Sequence, residues 1–438
     1  MMANNWKEIR LGEIVDVTQG LAINVKTKHL LVEIGLPLLR ITDLFHDNYS
    51  QFINKDKVPK QCIANHNEII YTRTGQVGYV FKNKTGVVHN NCFKVTPKDD
   101  RVDRNFIYWF LYQKSIREYA NLIASGSVQK DLTHAAFNSI KIKLPDLKTQ
   151  CEIAVILNAL EKRIENLNEM NQTLENIAQA LFKSWFVDFD PVRAKAEGRE
   201  PEGLDPEVAA LFPDSFEESE IGPVPKGWKV RQVLEVADIV KGKSYKSSDL
   251  VTECSSALVT LKSFARGGGF RMDGFKPYIG DYKPEQVLKP GDLIVAYTDV
   301  TQAAELIGKP AIVIGTQRHN ILVASLDVGI IRPNFLTTRQ FLYGLFNQAS
   351  FQSHTLAHTS GTTVLHLSKD AIGSFRFACP DIDSIRVFNL LAELVSSKCQ
   401  LIINQMQSLT ELRDSLLPKL ITGQLNVVES KYSDEVTG

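Results

Sequence analysis

The chain has 438 residues, and its 50 Lys+Arg balance 50 Asp+Glu; 44% of residues are hydrophobic and 23% charged, the proportions of a soluble globular protein with roughly two to four domains. No basic-then-apolar signal opens the sequence, and no run approaches the ~18 apolar residues of a membrane span. The six cysteines (Cys62, Cys92, Cys151, Cys254, Cys379 and Cys399) form no CxxC pair or ligand-like spacing, so reduced thiols in a cytoplasmic protein are expected.

Residues 6–20, WKEIRLGEIVDVTQG, open the first element. Short β-rich runs follow at 68–71, 77–81, 87–88 and 92–95, between turns of Gly, Asn and Lys. The period at 104–122 predicts one helix carrying Phe106, Trp109, Phe110 and Tyr119 on a largely apolar face, read as core rather than as a base-stacking platform. SGSVQKDLTHAAFNSIKIKLP (125–145) then ends in a proline. Beyond it, Ile153, Leu157, Leu160, Ile164, Leu167, Asn171, Leu174, Ala178 and Leu181 step alternately by four and three, the seam of a coiled coil with one polar member.

The same order then repeats. WKVRQVLEVADIVKG (228–242) returns at an offset of 222, and strands are predicted at 292–297, 311–314 and 322–326 with a helix at 339–352. SGTTVLHLSKDAIGSFRFACP (360–380) returns at an offset of 235, placing Ser360, Gly361, Leu367, Ala371 and Pro380 on Ser125, Gly126, Leu132, Ala136 and Pro145. A second seam follows: Phe388, Ala392, Val395, Cys399, Ile402, Met406, Leu409, Arg413 and Leu416. The two seams most simply pair with each other, antiparallel, with a globular repeat at each end. At ~1.5 Å per residue, the stretch from Ile153 to Leu181 is roughly 42 Å long, close to one turn of B-DNA.

Charge is segregated in the same pattern. Residues 1–150 hold 21 Lys+Arg against 14 Asp+Glu and residues 223–380 hold 18 against 12, whereas residues 151–222 hold 6 against 16 and residues 381–438 hold 5 against 8. Two basic repeats related by a pseudo-two-fold suit a polyanion with two half-sites, which points to double-stranded DNA.

Catalytic motifs do not emerge. ADIVKGKS (237–244) fits a loose phosphate-loop pattern, but the first repeat has DVTQGLAI in its place, without the lysine. His354 and His358 stand four apart with no third ligand in view. No Asp/Asn-Pro-Pro-Tyr/Phe motif, HExxH or nuclease carboxylate set is present. The chain is therefore expected to be no enzyme, with no metal or cofactor of its own.

LFKSWFVDFDPVRAKAEGREPEGLDPEVAALFPDSF (181–216) resembles the central conserved region of the specificity (S) subunits of type I restriction–modification systems, and LRDSLLPKLITGQL (412–425) resembles their C-terminal end. The resemblance implies an α+β fold: two target-recognition domains in tandem repeat, separated by two long helices forming an antiparallel coiled coil. The domains expected are 1–148 and 226–381, with coiled-coil helices at 149–187 and 382–425, an acidic linker at 188–225 and a disordered tail at 426–438. It further implies a non-catalytic subunit that reads a bipartite DNA target. Two modification (methyltransferase) subunits would dock on it, and restriction (translocase/nuclease) subunits would join them. S-adenosylmethionine, ATP and Mg would belong to those partners. The alternatives are the specificity subunit of a two-subunit type II (type IIB-like) enzyme and a coiled-coil scaffold with no DNA role.

Bases are read by Arg, Lys, Asn, Gln, Ser and Thr on loops at strand ends. In the first repeat this selects Arg40, Thr72, Arg73, Thr74, Gln76, Asn91, Ser127 and Lys130, with the 72–76 turn foremost. The counterparts, in loops 262–271, 298–302, 317–320 and 360–363, are Lys262, Arg266, Arg271, Thr298, Arg318 and Thr362.

Overall fold

A computed structural model describes residues 6–426 apart from 67, 302 and 317. All but one residue of the tail expected at 426–438 therefore lies outside the described residues, as do Gln302 and Gln317 of two expected loops. The chain divides into two units, residues 1–167 with 405–438 and residues 168–404.

In the first unit, four antiparallel strands lie in the order Val15–Gln19, Cys92–Pro97, Ile69–Thr72 and Val80–Phe81. A second sheet runs Leu31–Val32, Phe52–Ile53, Leu36–Leu39, Gly86–Val88 and Ile63–Ala64, with Leu36–Leu39 and Gly86–Val88 parallel. The ends of the repeat are tied by pairing Lys7–Arg10 with Lys141–Leu144. Strand Ile69–Thr72 is buried on both faces, which accounts for its unbroken apolar run.

The second unit repeats this plan, with four strands rather than five in its mixed sheet. Ala237–Lys241, Val328–Pro333, Leu293–Ala296 and Pro310–Ile312 form its four-stranded sheet. Lys276–Pro277, Ser256–Val259, Ile321–Ala324 and Val287–Leu288 form the mixed sheet, with Ser256–Val259 and Ile321–Ala324 parallel. Lys229–Gln232 pairs with Arg376–Cys379. The same capping device recurs after the first strand: the backbone N–H of Arg10 donates to Glu13 at 3.1 Å, and that of Gln232 to Glu235 at 2.8 Å.

The single helix predicted at 104–122 is two, Arg104–Tyr112 and Lys114–Ile123. Gln113 between them is extended, and its side chain donates to the carbonyl of Phe110. The counterpart at 339–352 also divides, into Arg339–Phe346 and Ala349–Ala357, with Gln348 extended and bonded to the Gly344 carbonyl. A break lets the first segment bury nearly all round while the second keeps one face in solvent. Phe106, Trp109 and Phe110 are core residues, but Tyr119 is 44% exposed.

The seams form helices Leu147–Phe186 and Ile382–Ile421, each of 40 residues. In the first unit Ile153 and Leu157 share a core with Leu417, Leu420 and Ile421. In the second, Phe182, Trp185 and Phe186 pack with Phe388 and Ala392. In the first unit Glu161 meets Arg413 while Ile153 and Leu157 share a core with Leu417, Leu420 and Ile421, and in the second Phe182 meets Phe388 while Glu175 acts on Cys399, so in each unit the paired segments run antiparallel. Arg413 is a true seam residue, 7% exposed, ion-paired to Glu161 and, at 2.8 Å, to Asp414.

Residues 188–225, expected as an acidic linker, are folded. Helix Asp190–Ala196 and the pair Phe216–Glu217 with Val224–Pro225 bring Val192, Phe212 and Val224 into the second unit's core. Phe212 meets Trp185, Phe186 and Trp228 edge-on or tilted. A stretch with this many buried apolar side chains gains more by packing than its Pro, Gly and acidic content suggests.

Candidate functional site

Internal duplication separates framework from variable parts. Within each unit the chain returns from its second short helix through an exposed turn to the end of the central strand. In the first unit the turn is Ser125–Lys130, all six residues exposed. Ser125 and Asp131 exchange backbone hydrogen bonds at 2.9 and 2.8 Å, and the Gly75 N–H donates to the Lys130 carbonyl at 2.8 Å. In the second unit, Thr359–Ser360, Leu365–Leu367 and Thr298–Asp299 make the corresponding small sheet. Gly126 and Gly361 hold the same place with φ of 96° and 104°, where an added Cβ would strike the carbonyl of Gln129 or Val364. The turns share their hinge and differ at their tips, SVQK against TTVL.

The turn 72–76, foremost in the sequence reading, is largely spent on holding this loop. Thr72 is fully buried: its hydroxyl donates to the Gln76 carbonyl and accepts the Tyr79 N–H, so it is closed to a base. Arg73 is engaged within the fold as well. Its guanidinium donates to Asp131 at 2.6 Å and to the Leu132 and Asn90 carbonyls at 3.2 and 3.4 Å, and lies 5.1 Å from the Phe93 ring centroid. With its side chain 12% exposed, it is a strut. The Thr74 hydroxyl donates to the other Asp131 oxygen at 2.6 Å. In the second unit Thr298 is buried and donates to Asp327 at 2.9 Å. Burial decides each case, because a polar side chain withdrawn from water must find its partners inside the protein.

The remaining positions reach the surface to differing degrees. Gln76, Ser127 and Lys130 are exposed, although the Lys130 ammonium also donates to the Asn121 carbonyl. Half-buried Asn91 accepts the Arg73 and Thr74 N–H groups at its backbone oxygen. Arg40 is ion-paired to Asp43 at 2.6 Å and bonded to Ser50 at 2.7 Å. In the second unit Thr362 is exposed on the turn. Lys262 is exposed on the turn Leu261–Ser263, Arg266 pairs with Glu305 at 3.3 Å and Arg271 with Asp273. Arg318 is exposed, its N–H donating to Thr316 at 3.1 Å.

Asp131 and Asp299 escaped the sequence reading. Asp299 is fully buried at the base of loop 299–307; burial alone would raise its pKa, but the backbone amides of Leu306, Thr301 and Ile307 hold it below the usual carboxylate range. Asp131 has its partners far away in the chain and Asp299 within its own loop, and a search for DNA contacts passes over both because they are acidic.

The two motifs weighed for catalysis have other roles. Ala237–Lys241 is a sheet strand, and the next helical turn is the three-residue Ser247–Asp249, so 237–244 does not lead into a helix N-terminus that would receive a phosphate. His354 bonds the Ala371 carbonyl and the Ser374 hydroxyl, and His358 bonds the His354 carbonyl. Among the described residues no group of three or more His, Cys, Asp or Glu is placed to hold a metal ion, and no helix is long and apolar enough to cross a membrane.

Residues 3–176 match the type I restriction modification DNA specificity domain. Similarity to full-length proteins is wider. The type I restriction enzyme HindI specificity subunit of Haemophilus influenzae is 24% identical over 96% of this chain and all of that protein. The MjaIX specificity subunit of Methanocaldococcus jannaschii is 24% identical over 97% of this chain and 94% of that one. In fold, the chain is similar to the type I restriction–modification S subunit from M. genitalium, with a TM-score of 0.55 at 17% identity, covering 96% of this chain and 98% of that one. With a matching domain in its N-terminal part and specificity subunits similar along nearly its whole length, the chain is similar to the type I restriction–modification specificity subunits.

Proposed function

We propose that this chain is the DNA-sequence specificity subunit of a type I restriction–modification complex, each basic repeat reading one half of a bipartite target. The observation that carries this reading is the duplication itself: one framework built twice, with matching hinges and dissimilar exposed tips. A protein that reads two different short sequences in the same way needs that arrangement. The basic excess of both repeats supports a phosphate-tracking contribution, for which log affinity falls by roughly 0.9 per neutralised phosphate for each unit of log salt.

In this reading the chain carries no chemistry of its own. Two modification subunits dock on it and bring S-adenosylmethionine, while restriction subunits bring ATP and Mg. The strand at 237–241 and the absence of a following helix support a structural role for Lys243, so Lys243→Ala should leave the ATPase of the assembled complex unchanged. The decisive experiment exchanges residues 1–145 for the corresponding domain of a relative and sequences the methylated bases of the host genome. One half of the methylated motif should change and the other persist. A motif rewritten in both halves, or unaltered, refutes two independent readers.

A further inference from the structure

Resting on the reading of the chain as a DNA-sequence reader, we infer that Val128 is a specificity-determining residue that recognises the 5-methyl group of a thymine in the half-site read by the first repeat. Val128 is the most exposed large hydrophobic side chain among the described residues, at 101% relative accessibility. It stands at the tip of Ser125–Lys130, between hydrogen-bonding neighbours Ser127, Gln129 and Lys130.

The loop that carries it is braced for presentation. Ser125 and Asp131 close its base through paired backbone bonds, the Gly75 N–H holds Lys130, and the Asp131 carboxylate is gripped by Arg73 and Thr74. Buried Thr72, largely enclosed Arg73 and the core ring of Phe93 thus support a turn whose own residues are all exposed. A tip held in advance loses little freedom on binding, so its contacts are expressed more fully as affinity.

Chemistry then narrows the partner. A valine side chain has no polar atom, so it contributes nothing to a phosphate and cannot hydrogen-bond a base edge. The apolar feature of the major groove is the thymine methyl, which side-chain methyl groups contact. The corresponding position in the second unit, at the same distance past the positive-φ glycine, is Thr363, similar in shape but bearing a hydroxyl. Equivalent hinges therefore present an apolar tip in one repeat and a mixed one in the other, as expected for half-sites that differ.

The test uses the complete complex with its modification subunits and a duplex bearing its methylated target. Each thymine of the first half-site is replaced in turn by deoxyuridine, which removes only the methyl. At one position the wild-type complex should bind about three- to fivefold more weakly, the loss for roughly one buried methyl. Val128→Ser should weaken binding to the duplex that keeps all its thymines by a similar factor and show no further loss at that position. Val128→Thr, which keeps a methyl, should retain the sensitivity. Because the side chain is exposed, neither variant should disturb folding. The inference is overturned if the half-site has no thymine, if Val128→Ser binds like wild type, or if its deoxyuridine profile matches wild type throughout. A wild-type complex that cannot tell its target from scrambled DNA would instead remove the functional reading, and this inference with it.

Discussion

Arg73→Ala separates a strut from a base reader. The substitution removes donors to Asp131, Leu132 and Asn90 and leaves Asp131 with the Thr74 hydroxyl as its remaining side-chain partner among the described contacts. Breaking a fully buried ion pair costs about 3–5 kcal/mol, but the Asp131 side chain is 37% exposed and regains water. One charge-assisted hydrogen bond, about 1.5–3 kcal/mol, is the better guide. Loss of the cation over Phe93 adds about 0.5–1 kcal/mol. A loss of about 2–4 kcal/mol corresponds to roughly 4–16 °C in Tm for a folding unit of this size. Thermal unfolding of the purified chain measures it, and hydrogen exchange locates the loosening at residues 125–131. Asp131→Ala should cost less than Arg73→Ala, and the double variant should cost less than the two added together, because the pair is lost only once. If Arg73→Ala leaves Tm within a degree while relaxing one base of the target, Arg73 reads DNA and its bracing role is refuted.

Three further outcomes follow from the packing. Arg413→Ala strands Glu161 in the seam, where it is 20% exposed, and should destabilise the first unit by about 3 kcal/mol in denaturant unfolding; Arg413→Met with Glu161→Gln should recover much of that. Gly344→Ala places a Cβ 2.3 Å from the Phe182 ring and should cost about 1–3 kcal/mol in the second unit, measured in the same way. Burial holds His89 and His354 below the usual histidine pKa, with the positive charges of Arg40 and His358 adding to the effect. The unfolded chain therefore takes up these protons first, and stability should fall as pH drops below about 6.5. Denaturant midpoints at pH 7.5 and 5.5 should differ less in His354→Gln than in wild type; an equal difference refutes that histidine's contribution.

Much of the architecture was legible along the chain because it rests on local or periodic signals. The recurrence of Trp-Lys and Ser-Gly segments marks the two repeats, and the three-four step marks both long helices and the phase of their seam. The glycines at 126 and 361 recur where the backbone turns left-handed. What tertiary structure decided is which polar residues remain free to act. Arg73 and Asp131 stand 58 residues apart, and Arg413 and Glu161 are 252 apart; no period or composition links such pairs. An arginine beside a turn looks the same in sequence whether it faces DNA or braces a loop. Its burial, and the carboxylate waiting inside, assign it to the framework, while the polar-flanked valine that no search for donors selects stands fully in solvent. The same limit applies to 188–225: Pro, Gly and acidic residues describe a linker, whereas the aromatic residues within it describe a core only once Trp185, Trp228 and Phe388 have folded around them.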